Sequence, residues 1–291
     1  MTRGGALALM VAAPVLWSSA GLVTRHIERT PPFEQVFWRS LFAFAFVFMV
    51  LVFQRKAPWT SVRKAGLPGL VSGLMWAIMF TAFLFALSMT TTANALVVMA
   101  VSPLLTAIFA WFFLKDPLPL RTWIAAGAAA LGIALMFGFS VEKHYLGMLV
   151  ALVIPVAAAV NVVVLRASAA RLDLVPAVMI GGGLSCLIAL PFALPLSFHA
   201  KDVLLLAFLG VFQLGLPCML LVLASRALLA PEIALLGLLE VVLGPLWVWL
   251  GAGEEPARST LVGGAVVLGA LALNELQAMP ALQARLTRRR S

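Results

Sequence analysis

The sequence predicts an all-α integral membrane protein of ten transmembrane helices, arranged as two inverted five-helix repeats. Three observations predict it: composition, the spacing of uncharged runs, and a match of the chain to itself. Apolar residues make up 63% and charged ones 11%, against roughly 45–50% and 25% in soluble domains. A chain so composed cannot cover a soluble surface with polar groups.

The uncharged runs define ten spans. Span 1 is Gly4–Thr24, too long for a signal-peptide core and without a clean cleavage site. Span 2 runs from about Glu34 to Phe53, interrupted by Arg39 alone. Fifty uncharged residues lie between Lys64 and Lys115. The polar run Ser88-Met-Thr-Thr-Thr92 divides them into span 3 (about Gly66–Leu87) and span 4 (Ala93–Leu114). Span 4 is about 33 Å long as a helix, enough to cross a hydrocarbon core of ~30 Å. Spans 5 to 7 are about Leu120–Phe139, the run after His144 to Arg166, and Leu174–Leu196. Spans 8 to 10 are about Val203–Ser225, Ile233–Leu250 and Thr260–Leu273. The loops are too short for a soluble domain.

The chain also matches itself. At an offset of 139, Asp116-Pro117 falls on Glu255-Pro256. At 141, Pro14 falls on Pro155 and Arg25 on Arg166; at 137, Gly127–Gly132 falls on Gly264–Gly269. Residues 1–140 and 141–291 are read as the two copies. Five spans per copy is an odd number, so the second copy enters from the opposite side. Inverted repeats are an architecture of secondary transporters, with substrate bound near the midplane between the halves.

Orientation follows from Lys and Arg. With the N-terminus inside, fourteen fall on the cytoplasmic side and five outside, Arg39 lying within span 2. Both termini are therefore expected in the cytoplasm, and the protein in the cell inner membrane. The net charge of +9 reads as this orientation signal and not as a nucleic-acid surface. The final Thr-Arg-Arg-Arg-Ser is an anchor near anionic lipid.

The sequence has no Walker A run, GxGxxG, HExxH, GxSxG or CxxC. ATP does not drive such a chain directly, and no cofactor, metal or catalytic role is expected. His26, His144 and His199 fall at span ends and form no cluster; Cys186 and Cys218 read as packing residues.

Ser102-Pro103 in span 4, the acidic residue and Pro after it (Asp116-Pro117) and the Gly-rich span that follows resemble the drug/metabolite transporter superfamily, EamA type. Gly251-Ala-Gly-Glu-Glu-Pro256, with Gly263, Gly264 and Gly269, is similar to the family's second repeat. The resemblance covers about residues 4–276. Two features depart from it: Asp116 stands where Glu is usual, and Val242 aligns with Pro103, with Pro245 three residues later. The resemblance implies export of amino acids, metabolites or drugs, with the amino-acid exporter (YddG-like) branch nearest.

Polar groups at membrane depth tend to face a cavity or another helix. Glu240, the one carboxylate near the middle of a span, either holds a substrate amine or a proton, or bonds to neighbouring helices. Arg39, near an end of span 2, is read as a snorkelling or Glu34-paired residue. Asn94, Ser102, Asn161 and Gln213 complete the polar candidates, each either ligand or interhelical glue. Trp17, Trp76 and Phe80 are candidate apolar walls. Pro14, Pro103, Pro155, Pro217 and Pro245 are candidate kinks or gates. Spans 1, 3, 4, 6, 8 and 9 are thus expected to line the path, with 2 and 7 nearly featureless. Ala128/Gly132 and Ala265/Gly269, four apart in spans 5 and 10, are expected to form a close-packed seam. The function expected is export of small amphipathic metabolites, amino acids first, by a monomer or weak homo-oligomer; the alternatives are a multidrug carrier or a non-transporting scaffold or receptor.

Overall fold

The computed structural model describes residues 3–115, 119–138, 142–168, 172–224, 227–228 and 230–288. Among them the chain is helix and connecting turns, with no strand. The helices are α1 (Arg3–Arg25), α2 (Pro32–Phe53), α3 (Pro58–Met89), α4 (Thr92–Met99), α5 (Ser102–Leu114) and α6 (Leu120–Gly138). The second half adds α7 (Glu142–Ser168), α8 (Val175–Ala193), α9 (Ala200–Phe208), α10 (Leu216–Ala224), α11 (Ala230–Ala252) and α12 (Arg258–Arg288). A π-helical segment, Leu209–Gly215, joins α9 to α10.

These elements make ten rods, because α4 with α5, and α9 with α10, each continue one another. Seven rods are long and apolar enough to cross a membrane. The remaining three carry shorter apolar stretches, Leu120–Leu135, Leu236–Ala252 and Arg258–Asn274. Their outer faces are apolar too: Phe53, Leu67, Phe113, Phe192, Leu204 and Leu250 are all well exposed. Large apolar patches of this kind need a lipid surround, since water would make them aggregate.

The main contacts between halves are unchanged when rods one to five are exchanged with rods six to ten. α3 packs on α7, as α10 packs on α1; α3 packs on α8, as the π segment packs on α2. α1 packs on α11, as α5 packs on α7, while α2–α8, α6–α12 and α4–α11 are their own mates.

Four boundaries differ from the expectation. Span 4 is broken: α4 stops at Met99, and α5 restarts at Ser102 with Pro103 in its first turn. Proline has no N–H to donate, so it fits a first turn and ends what precedes it. The equivalent span 9 runs unbroken through Pro245. α3 starts at Pro58 and changes direction at Gly66, whose φ of 56° is open to glycine at little cost. α8 ends at Ala193, before the expected Leu196, and α12 continues past Leu273 to Arg288.

The seam of α6 on α12 is present, with a different face on α12. A Cβ on Gly132 would lie 2.8 Å from the Gly263 carbonyl oxygen and 2.9 Å from Val267. Ala265 and Gly269 are exposed, and a Cβ on Gly269 would meet nothing within 4 Å. The reason is helical phase: Gly263, Val267 and Leu271, four apart, are buried and face α6. Asp116, Pro117, Phe139, Arg171, Ser225, Arg226 and Ser291, used in the sequence reading, lie outside the described residues.

Candidate functional site

A buried cation lies on the span that the sequence left nearly featureless. Arg39 is 2% exposed, in the second turn of α2, where it meets the π segment. That meeting needs glycine: a Cβ on Gly210 would lie 2.6 Å from the Arg39 carbonyl oxygen. The π segment widens the helix at this point and turns Gln213 inward, 2% exposed. Such bulges recur at functional sites.

Arg39 Nη2 donates to Gln213 Oε1 at 2.8 Å, and Nη1 donates to the Phe80 carbonyl oxygen at 3.3 Å. The guanidinium also lies 5.5 Å from the centre of the Phe83 ring. Nε has no partner among the described residues. Gln213 Nε2 reaches the Trp17 carbonyl oxygen at 3.5 Å. The cation is thus held by α3 and the opposite half, and not by a carboxylate: Glu34 instead accepts from Trp38 and Ser197. Snorkelling and Glu34 pairing are both overturned. A guanidinium this close to Gln213 and Phe80 has turned away from the membrane surface.

Glu240 on α11 is half-buried. It makes no hydrogen bond or ion pair among the described residues. The reading of Glu240 as bonded to neighbouring helices is therefore not what the structure contains.

The other nominated residues separate into groups. Trp17 borders the Arg39 cluster through its carbonyl, and Phe80 does the same. Trp76 is buried against Phe80, ring centres 5.4 Å apart, with its Nε1 unpartnered. Asn161 lies apart, accepting from Ser72 at 2.6 Å. Ser72 is eight residues before Phe80, about 12 Å along a helix. Asn94 donates to Thr90 and accepts from Thr260, and Ser102 donates to the Met99 carbonyl oxygen at the break in span 4. These three are paired as interhelical or capping groups. Of the prolines, Pro103 and Pro217 stand in first turns after a break and after the π segment. Pro14, Pro155 and Pro245 lie inside helices. The expectation that span 2 stands outside the centre is corrected by Arg39, and α8 packs its Gly181 directly on Trp76.

One end of the bundle holds a second cluster. Arg25 Nε donates to Glu254 Oε2 at 2.6 Å, Nη1 to the Leu87 carbonyl oxygen at 2.7 Å and Nη2 to that of Thr90 at 3.0 Å. Glu254 Oε1 accepts the Thr92 N–H at 2.6 Å. Nearby, Asp202 accepts the Arg29 N–H at 2.9 Å and the Thr30 N–H at 3.0 Å. The sequence offers Arg25 as a charge to count and as the mate of Arg166; its place beside the second-repeat motif Gly251–Pro256 comes from the fold. A cleft of about 450 Å³ opens beside this cluster, bounded by Arg25, Thr90, Leu146 and Glu254. Another, of about 310 Å³, lies between α3, α7 and α8 and is apolar. Neither is lined by any nominated site residue.

The helical bundle agrees with comparisons to known proteins. Residues 4–138 match the EamA-like transporter family. The chain is 24% identical to the pseudopaline exporter of Pseudomonas aeruginosa over 275 residues, covering 92% of this chain and 94% of that one. It is 29% identical to the uncharacterized transporter YyaM of Bacillus subtilis over 106 residues, 36% of this chain and 35% of that one. A solved crystal structure, 21% identical, superposes with a TM-score of 0.69 over 96% of this chain and 99% of that one. That likeness is one of fold. The resemblance to EamA-type drug/metabolite transporters is borne out, while none of these relatives speaks to the YddG-like branch.

Proposed function

We propose that this EamA-family protein is a secondary transporter of the cell inner membrane, exporting small amphipathic metabolites, amino acids first among them. Transport proceeds by alternating access between the halves 1–140 and 141–291. The observation that carries the reading is Arg39, 2% exposed in an apolar bundle, with no carboxylate bonded to it among the described residues. A packed scaffold gains nothing from so costly a centre. A carrier does, because a few fixed polar groups orient a substrate head while Trp17, Trp76 and Phe80 supply contact area. The EamA-like domain and a full-length relative named as an exporter support it.

With the termini cytoplasmic, as the fourteen-to-five charge count requires, the Arg25 end faces outward. The conformation described here is then closed to the outside. Reporter fusions at Ser291 and in the Arg25–Arg29 loop should report opposite sides; agreement between them would end the topology. Flux of a panel of amino acids and cationic drugs into proteoliposomes tests the substrate. Saturable movement of at least one amino acid is expected. Movement of drugs alone makes this a multidrug carrier, and movement of nothing returns the scaffold reading.

A further inference from the structure

We infer that Arg39 is the carboxylate anchor of the substrate site, and that Gln213 occupies the anchor until a substrate carboxylate displaces it. The inference rests on the transport reading above and specifies its chemistry: the substrate carries a free carboxylate.

The argument is geometric. A guanidinium presents Nε and Nη2 along one edge, two parallel N–H groups spaced for the two oxygens of a carboxylate. On Arg39 that edge is half used. Nη2 is taken by a neutral amide oxygen, and Nε, on a side chain 2% exposed, is unpartnered. The third nitrogen, Nη1, is tied to the Phe80 carbonyl, which fixes the plane of the group and leaves the Nε–Nη2 edge as the one to be completed. A carboxylate replacing Gln213 satisfies both donors and supplies the ion pair that the described residues lack. Gln213 sits on the π segment of the opposite half, so displacement is transmitted directly to the contact between halves. That makes binding and rearrangement one event. An anchor of this kind reads a carboxylate and rejects a simple cation.

The test uses the full-length protein in proteoliposomes. The amino acid that moves fastest is compared with its own carboxamide, which keeps the amine and loses the carboxylate, alongside simple mono- and dicarboxylates. Arg39→Gln should lower the acid-to-amide flux ratio by roughly tenfold or more, since a bidentate charged pair is lost. Gln213→Glu guards against a folding defect: it installs an internal carboxylate on the same edge, so its melting temperature should not fall. Its acid flux should drop as in Arg39→Gln. If Arg39→Gln and Gln213→Glu both keep the wild-type acid-to-amide ratio, the anchor is wrong and the transport reading survives. Should carboxylates other than amino acids move, and only with Arg39 intact, the anchor stands and the amino-acid reading falls. Movement of carboxylate-free cations alone would overturn both.

Discussion

At the Arg25 end, the two halves are joined by partly buried charges that also reach backbone. Arg25 ties α1 to Glu254 and to the ends of α3, and Glu254 ties back to the start of α4. Asp202, Glu34 and Lys201 add further contacts across the halves, to Thr30, Ser197 and Glu28. At the opposite end, the described residues supply one ion pair across the halves, Lys56–Asp173 at 2.8 Å, with side chains 43% and 38% exposed. The end with fewer basic residues is the one whose described charges are locked across the halves. Exposed pairs contribute about 0–1 kcal/mol, whereas charge-assisted bonds shielded from water and shared among three segments reinforce one another. A near-symmetric chain therefore sits in an asymmetric state.

The comparison assumes a frame that stays put while the ends differ, and the α6–α12 seam is that frame. The largest effect is expected there. Gly132→Trp must push apart Gly263 and Val267, at a cost of about 3 kcal/mol, whereas Gly269→Trp enters open space and should change stability by less than ~0.5 kcal/mol. Thermal unfolding in detergent compares them, and equal losses would mean the seam has been misplaced.

Next comes the locked end. Glu254→Gln removes the ion pair to Arg25 and weakens the bond from Thr92, and should cost about 2 kcal/mol. Asp173→Asn at the other end should cost under ~0.5 kcal/mol. A cysteine at position 240 should also react faster with a water-soluble thiol reagent applied from the Arg25 side once Glu254→Gln is added. If the two substitutions cost the same and labelling does not change, the asymmetry is not energetic.

The smallest effect concerns Glu28, on the loop between α1 and α2. The hydrogen bond and charge of Lys201 hold its carboxyl below the ordinary value of 4.5. A lowered folded value adds stability above the ordinary pKa and loses it as pH falls through the lowered one. The melting-temperature gap between wild type and Glu28→Gln should therefore be small near pH ~6 and vanish toward pH ~3. A gap that widens with acid would contradict the pairing.

Much of the architecture was written in the chain, because membrane thickness imposes a length on each span that no partner can alter. Ten spans, the lipid-facing composition and a small-residue seam between spans 5 and 10 follow from local runs of residues. Periodicity did less well on the face of that seam, since spacing of four fits several phases of one helix and only packing selects Gly263 and Val267 over Ala265 and Gly269. Gln213, Trp17 and Phe80 could be nominated as deep polar or aromatic positions, but nothing local joins them.

What joins them is Arg39, and its fate was decided by tertiary structure. Seven residues into α2, about 10 Å from the start, its side chain was long enough to reach either the membrane surface or the centre. A phenylalanine carbonyl on α3 and a glutamine on a π segment 174 residues away turned it inward. The break in span 4 and the continuity of span 9 were decided in the same way, by where each proline falls relative to its neighbours. So the sequence by itself determined that the chain crosses a membrane ten times in two related halves, since hydrophobic length is a local property. Only the tertiary structure decided which charge lies at the centre and which end is shut, because the cost of a buried charge depends on partners far along the chain.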